Sequence, residues 1–142
     1  MPDIQVNMLA VIIAVIANFI LGFIWYTPLF GRTWAVEMGF DPDEKVSGAA
    51  ITKGMVFMVI GSFLLAWVLA HNIAAWNHVP GVEEISNSFN GFQAALFTWL
   101  GFFLPVDLGS VAWEKRSWKL FGINTSYHFI SLLIVAMIIV YM

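Results

Sequence analysis

Leu9-Ala10-Val11-Ile12-Ile13-Ala14-Val15-Ile16 is a run of eight apolar residues with no polar residue at alternate positions. A strand crossing a membrane would alternate lipid-facing and lumen-facing side chains, so this run reads as helix. It belongs to the first of four uncharged stretches. Twenty-eight uncharged residues separate Asp3 from Arg32, 29 separate Lys53 from Glu83, 22 separate Glu84 from Asp107, and 23 run from Leu120 to Met142. A helix rises about 1.5 Å per residue and needs roughly 20 apolar residues to cross ~30 Å of hydrocarbon. All four stretches are long enough. They predict an all-α polytopic membrane protein, a four-transmembrane-helix bundle forming one transmembrane domain over 1–142. Its spans are expected near 4–26, 54–76, 89–106 and 123–141.

Composition agrees. Of 142 residues, 61% are hydrophobic and 11% charged, where a soluble domain carries about 25% charged residues. That argues against an ordinary soluble enzyme and a disordered tail. A net charge of −3 and the lack of a clustered basic surface argue against nucleic acid as a partner. The chain has no cysteine, which rules out disulfides, thiolate nucleophiles and cysteine-ligated zinc. Thirteen Phe, seven Trp and three Tyr suit the membrane interface, where an amphipathic ring faces both phases. A cleaved signal peptide would need a basic leader and a shorter apolar core, whereas the only charge before the first run is Asp3.

The six basic residues set the expected orientation. Arg32, Lys45 and Lys53 fall in or beside the first loop, 27–53, and Lys115, Arg116 and Lys119 in the third, 107–122. No other position carries Lys or Arg, so the positive-inside rule makes these two loops cytoplasmic. The loop at 77–88 and both termini are then outside, and in a bacterium the membrane is the inner one. Within the first loop, Asp41-Pro42-Asp43-Glu44 reads as a helix start, with Asp41 as N-cap and Pro42 at the first helical position. That helix would continue through 46–51 into the second span. The preceding segment, 28–40, is expected to lie along the interface with Leu29, Phe30, Trp34 and Met38. Glu83 and Glu84 read as a solvated pair.

Lipid offers no hydrogen-bond partners, so polar residues inside spans should face other helices or a cavity. On a helical wheel Asn7, Ala14, Asn18 and Trp25 fall within about 20° of one line, with Gly22 beside them. Gly54, Gly61 and Asn72 share a line in the second span, and Gly91, Ala94, Thr98 and Pro105 in the third, with Gly101 nearby. Asn124, Tyr127, His128 and Ser131 cluster in the fourth. Such stripes fit close helix packing, self-association and membrane lipids as the surroundings. One group goes further. Asn18, Trp25, Tyr26, Asp107, Glu114, Lys119, Asn124, Tyr127 and His128 are expected to form a polar pocket near the cytoplasmic end. His128 could hold a proton or a polar headgroup there, with Glu114 or Asp107 tuning it. Pro105 is expected to end or kink the third helix just before Asp107. His71 and His78 lack the spacing of a metal pair, and no phosphate loop or nucleophile motif is present. No metal or other cofactor is implied.

The residues Asn7, Asn18, Gly22, Trp25-Tyr26-x-Pro28-Leu29-Phe30-Gly31, Trp34 and Met38-Gly39-Phe40 form one pattern. Gly109-Ser110, Glu114, Trp118-Lys119-Leu120-Phe121-x-Ile123-Asn124 and Tyr127-His128 form a second. Together they resemble a family of small bacterial membrane proteins described as a domain of unknown function, over nearly the whole chain. The resemblance implies a four-helix bacterial integral membrane protein and transfers no activity. The first functional expectation is therefore non-enzymatic: a self-associating bundle with a polar pocket. A small-solute or ion transporter or channel subunit is the alternative. A membrane enzyme acting on a lipid or quinone, with His128 as base, is the second.

Overall fold

The structure is a computed structural model that describes residues 4–142. Among these residues there is helix and no strand. In chain order the elements are α1 (Met8–Ile24), α2 (Gly31–Met38), α3 (Gly48–Trp76), α4 (Asn87–Thr98), α5 (Leu104–Trp113) and α6 (Trp118–Tyr141). A π-helical turn, Trp25–Leu29, extends α1, and a second, Trp99–Phe103, joins α4 to α5 without a break. The four resulting helices, Met8–Leu29, Gly48–Trp76, Asn87–Glu114 and Trp118–Tyr141, are long and apolar enough to cross a membrane.

Each span starts on a side-chain cap that satisfies backbone N–H groups left over in the first turn. Asn7 accepts from Leu9 and Ala10, Ser47 from Ala50, Ser86 from Phe89 and Ser117 from Leu120. Residues 4–7 precede the first of these helices, so the span begins at Met8 rather than at 4. Asn7 also donates from Nδ2 to the carbonyl of Met142, 3.1 Å away, which ties the start of α1 to the end of α6.

Three expectations need correction. Asp41 does not cap a helix: its Oδ1 accepts from the Asp43 backbone at 2.9 Å in a local turn. That bond is one a cap would also make, but here the chain closes only a four-residue turn, with the Glu44 N–H on the Asp41 carbonyl at 3.2 Å, and α3 starts instead on Ser47. Asp43 is instead paired with Arg32 at 3.2 Å on the exposed surface. Pro105 does not end the third span either. The π turn passes the Leu104 N–H back to the Trp99 carbonyl, so Pro105 falls in the first turn of α5, where a missing N–H leaves nothing unpaired. Residues 104–113, placed mostly in the third loop by sequence, are therefore helical, and Asp107 lies inside the span.

The third correction concerns α3. Its buried face is Ser62, Ala66, Leu69, Ala70 and Ile73, roughly 90° around the helix from the line through Gly54, Gly61 and Asn72. A side chain added at Gly54 or Gly61 would meet open space. Small residues do permit close approach, but here alanine and serine make it.

The core is narrow. Val11, Ala14, Ala66, Leu69, Ala70, Ile73, Ala95, Leu132, Val135 and Ala136 form it, contributed by α1, α3, α4 and α6, and α6 packs most extensively on α4 and α1. Small side chains bring the backbones together, which is how helices associate where lipid is as apolar as leucine. Most large apolar side chains point outward instead, among them Ile16, Ile20, Phe57, Phe97, Phe102 and Val106. That inversion of the soluble pattern is what a lipid solvent requires. Past the first π turn, Gly31 sits so close to the Tyr26 carbonyl that a Cβ would lie 2.6 Å from its oxygen. Only glycine fits there. The following helix closes on Gly39 at φ 82°, whose N–H bonds the Val36 carbonyl while Phe40 bonds that of Ala35.

Candidate functional site

Asn18 lies roughly 16 Å from the Leu29 end of its helix, by the rise per residue, near the middle of the span. It is 3% exposed. Its amide Nδ2 donates to Ser62 Oγ at 2.8 Å, and its Oδ1 accepts from Ser131 Oγ at 2.6 Å. One side chain thus joins α1, α3 and α6. An amide has both donor and acceptor capacity, so it can satisfy two hydroxyls that lipid could not.

One turn along α6 toward the basic end, Tyr127 turns its hydroxyl toward Asn18. Its ring meets that of Tyr26 edge-on at 5.0 Å. The Tyr26 hydroxyl donates to Asn124 Oδ1 at 3.1 Å, and Trp25 Nε1 donates to the Ile123 carbonyl at 3.1 Å. Trp99 Nε1 donates to the Thr125 carbonyl, also at 3.1 Å. Each π turn therefore begins with a tryptophan that holds α6 by a backbone oxygen. Ile123 and Thr125 are about 200° apart on the helix, so the two indoles hold it from nearly opposite faces. π turns recur where a helix must reposition a side chain.

His128 meets Asp107 beside this network. Nδ1 is 2.8 Å from Asp107 Oδ2, and the side chains are 27% and 10% exposed. His128 is ten residues from Trp118 and Asp107 seven from Glu114, which puts the pair roughly 10–15 Å inside the apolar helices. Ionisable residues at such depth are costly unless paired, and in membrane proteins they mark ion, proton or ligand sites. The carboxylate holds Nδ1, which fixes the ring and its tautomer. Nε2 takes no partner among the described residues. The ring of Phe103, at the end of the second π turn, lies 4.9 Å from that of His128.

A cavity of about 220 Å³ adjoins these groups, lined by Asn18, Met58, Gly61, Ser62, Leu65, Phe103, Tyr127, His128 and Ser131. Three of the residues expected at the pocket, Trp25, Tyr26 and Asp107, stand behind its lining as partners of Tyr127 and His128, and Asn124 stands behind Tyr26 as the acceptor of its hydroxyl. Two are elsewhere. Glu114 is 63% exposed and pairs with Arg116 at 3.5 Å, so Asp107 alone is the carboxylate at His128. Lys119 pairs with Glu37 at 3.8 Å, and Ser117 donates to the same Glu37, which fastens α2 to the start of α6. Lys119 departs from expectation because Glu37 of α2 holds it, and Glu114 because the third helix runs on to Trp113. The extra helical turns hold Glu114 away from the imidazole.

Ser62, Trp99 and Phe103 were not singled out from sequence. Ser62 carried the signal of a polar residue within a span, but the glycine line beside it drew the reading. Trp99 and Phe103 lie among aromatic residues of no particular spacing, and only the π turn turns them toward α6.

Searches of curated proteins and of solved structures each found no match. A family model does match, over residues 9–140, and carries the description "Protein of unknown function (DUF1761)". It covers both π turns, every residue of the cavity, and all four spans except Met8 and Tyr141. The chain belongs to this family of unknown function.

Proposed function

We propose that the protein is an inner-membrane bundle that binds a small polar group in the cavity beside Asn18, Tyr127 and His128. The observation that carries this reading is the Asp107–His128 contact at 2.8 Å within the apolar helices, adjoining open space. A pair serving only to hold helices together would sit against packed side chains. Here the imidazole borders a cavity with hydroxyls and an amide on its other walls, so it can hold a proton and hydrogen-bond a guest. Both termini lie outside, and the loops holding all six basic residues are cytoplasmic. Self-association is part of the reading. Asn72, Gln93 and Thr98 line a second groove, of about 430 Å³, on the outward face between α3 and α4, and a second copy could supply hydrogen bonds that lipid lacks.

A transporter or channel subunit is the second reading, favoured by one feature. A pocket of about 180 Å³ lined by Asn7, Asn77, Asn87 and Asn90 lies at the opposite end of the bundle, across the apolar core from Asn18.

The cysteine-free sequence permits a clean test with single-cysteine variants in intact cells and inverted vesicles. Met142→Cys is expected to react with a membrane-impermeant maleimide from outside, and Lys115→Cys only from inside. Ser62→Cys is expected to react only with small membrane-permeant methanethiosulfonates. Reversed labelling at 142 and 115 would overturn the orientation. A cysteine at 62 inert to every reagent would mean a closed site and remove the binding reading.

A further inference from the structure

The rim of the cavity lies at mid-helix, away from both ends of the bundle. The cavity's floor is Asn18, Ser62 and Ser131, each less than 5% exposed and hydrogen-bonded to one another, so the surface that faces the open space is mostly apolar. Its rim is Met58, Gly61 and Leu65 on α3 and Phe103 on the π turn. Gly61 is exposed, and a side chain built there would meet nothing within 4 Å. The rim lies 13 residues from the start of α3 and 15 from its end, about 20 Å from each. Of the neighbouring helices, α3 packs mainly on α1 and α5 on α6, so neither covers this face for the other. A solute dissolved in water would have to cross hydrocarbon to reach such a mouth. A solute dissolved in the membrane would already be there.

The walls also limit the guest. The amide and hydroxyls of the floor are uncharged and already bonded to one another, which leaves Nε2 of His128 as the polar atom at the cavity with no partner among the described residues. Asp107 and His128 already answer one another, so a charged guest would arrive without a counter-charge and lose its hydration. At about 220 Å³ the space is below the roughly 300–1,000 Å³ of pockets that enclose a whole drug-sized ligand. It suits one ring-sized head with the rest of the molecule left in lipid.

We infer that the cavity receives the neutral, oxygen-bearing head of a lipid-soluble molecule, of the quinone or quinol class, sideways from the hydrocarbon past Gly61. This rests on the cavity being a ligand site. Nε2 of His128 would hydrogen-bond a ring oxygen, above the buried amide and hydroxyls of the floor. Phe103 and Tyr127 would flank the ring. Met58, a flexible thioether, would accommodate the start of the tail.

The test uses the full chain in nanodiscs, with a benzoquinone carrying two isoprene units as probe and the same ring without its tail as control. Binding is read from saturable quenching of tryptophan fluorescence and from the nitrogen resonances of His128. The tailed probe is expected to saturate and to shift the His128 resonances. Gly61→Phe should weaken it about tenfold or more while leaving the melting temperature unchanged, and Gly61→Ser should retain binding. His128→Gln serves as a second variant that weakens binding without touching the rim. Equal affinity for the tailed probe in Gly61→Phe and the parent protein would overturn sideways access. Tighter binding of the tail-less ring would overturn the lipid-soluble class while leaving a ligand site in place. If neither probe binds or shifts His128, and Ser62→Cys is also inert to thiol reagents, the site itself is refuted.

Discussion

His128→Leu is expected to destabilise the protein by about 2–3 kcal/mol, and Asp107→Leu by a similar amount, while the double variant stays within about 1 kcal/mol of the parent. The reason is an asymmetry between removing one partner and removing both. Asp107 is 8% exposed and its Oδ2 has His128 as partner. Losing the imidazole leaves a carboxyl group in apolar surroundings with no donor, and such groups cost several kcal/mol to bury. Removing both groups removes that penalty along with the bond. Membrane hydrogen bonds taken singly average only about 0.6 kcal/mol, so a loss above about 2 kcal/mol on single substitution would report the orphaned partner. Equilibrium unfolding in mixed micelles gives the four values of the cycle. Losses that simply add would mean the two groups do not interact, and the proposed site would lose its centre.

The second large effect concerns packing. Gly91 on α4 faces α6, where a Cβ would lie 3.1 Å from Val140 Cγ2, 3.2 Å from Met137 Sδ and 3.6 Å from the Ala136 backbone. Gly91→Ala asks a flexible methionine to yield by tenths of an ångström and should cost about 1 kcal/mol or less. Gly91→Leu adds three further carbons against a backbone that cannot move alone, and overpacking of this kind costs about 1–3 kcal/mol. Because α4 and α6 form the most extensive helix contact in the bundle, the upper end is expected. Gly54→Leu is the control. It faces open space, so it should change stability by less than about 0.5 kcal/mol. Equal losses at 54 and 91 would mean that leucine harms these helices through something other than the α4–α6 approach.

How much of this was readable beforehand depends on the length scale of the signal. The four spans follow from uncharged lengths, because the cost of a charge in hydrocarbon is large and local to each residue. The polar cluster on the fourth helix was readable for the same reason. A residue such as Asn124 or His128 cannot face lipid without penalty, so it must face protein. What escaped depended on a single turn of backbone. Pro105 reads as a helix end until a π turn shifts the carbonyl register and places it where no N–H is needed. That one turn carries Asp107 into the span and moves Glu114 out of reach, which no pattern of residue types encodes. The face of α3 was misjudged because glycine and alanine both allow close packing, and the wheel alone does not choose between two lines a quarter-turn apart. Asp41 does not start a helix because its bond to the N–H two residues on, which a cap also makes, here closes a single turn, and residue types alone do not choose between a turn and a helix.

The contact between His128 and Asp107 is open to direct measurement. With only three histidines in the chain, magic-angle-spinning NMR of nitrogen- and carbon-labelled protein in lipid bilayers can read the dipolar coupling between the His128 ring and the Asp107 carboxyl carbon. A coupling from Nδ1 that matches direct hydrogen bonding, unchanged when exposed amide protons are exchanged with bulk deuterium oxide, is the expected result. An imidazole of His128 that shows no coupling to Asp107 and exchanges freely with water would contradict a paired site inside the membrane.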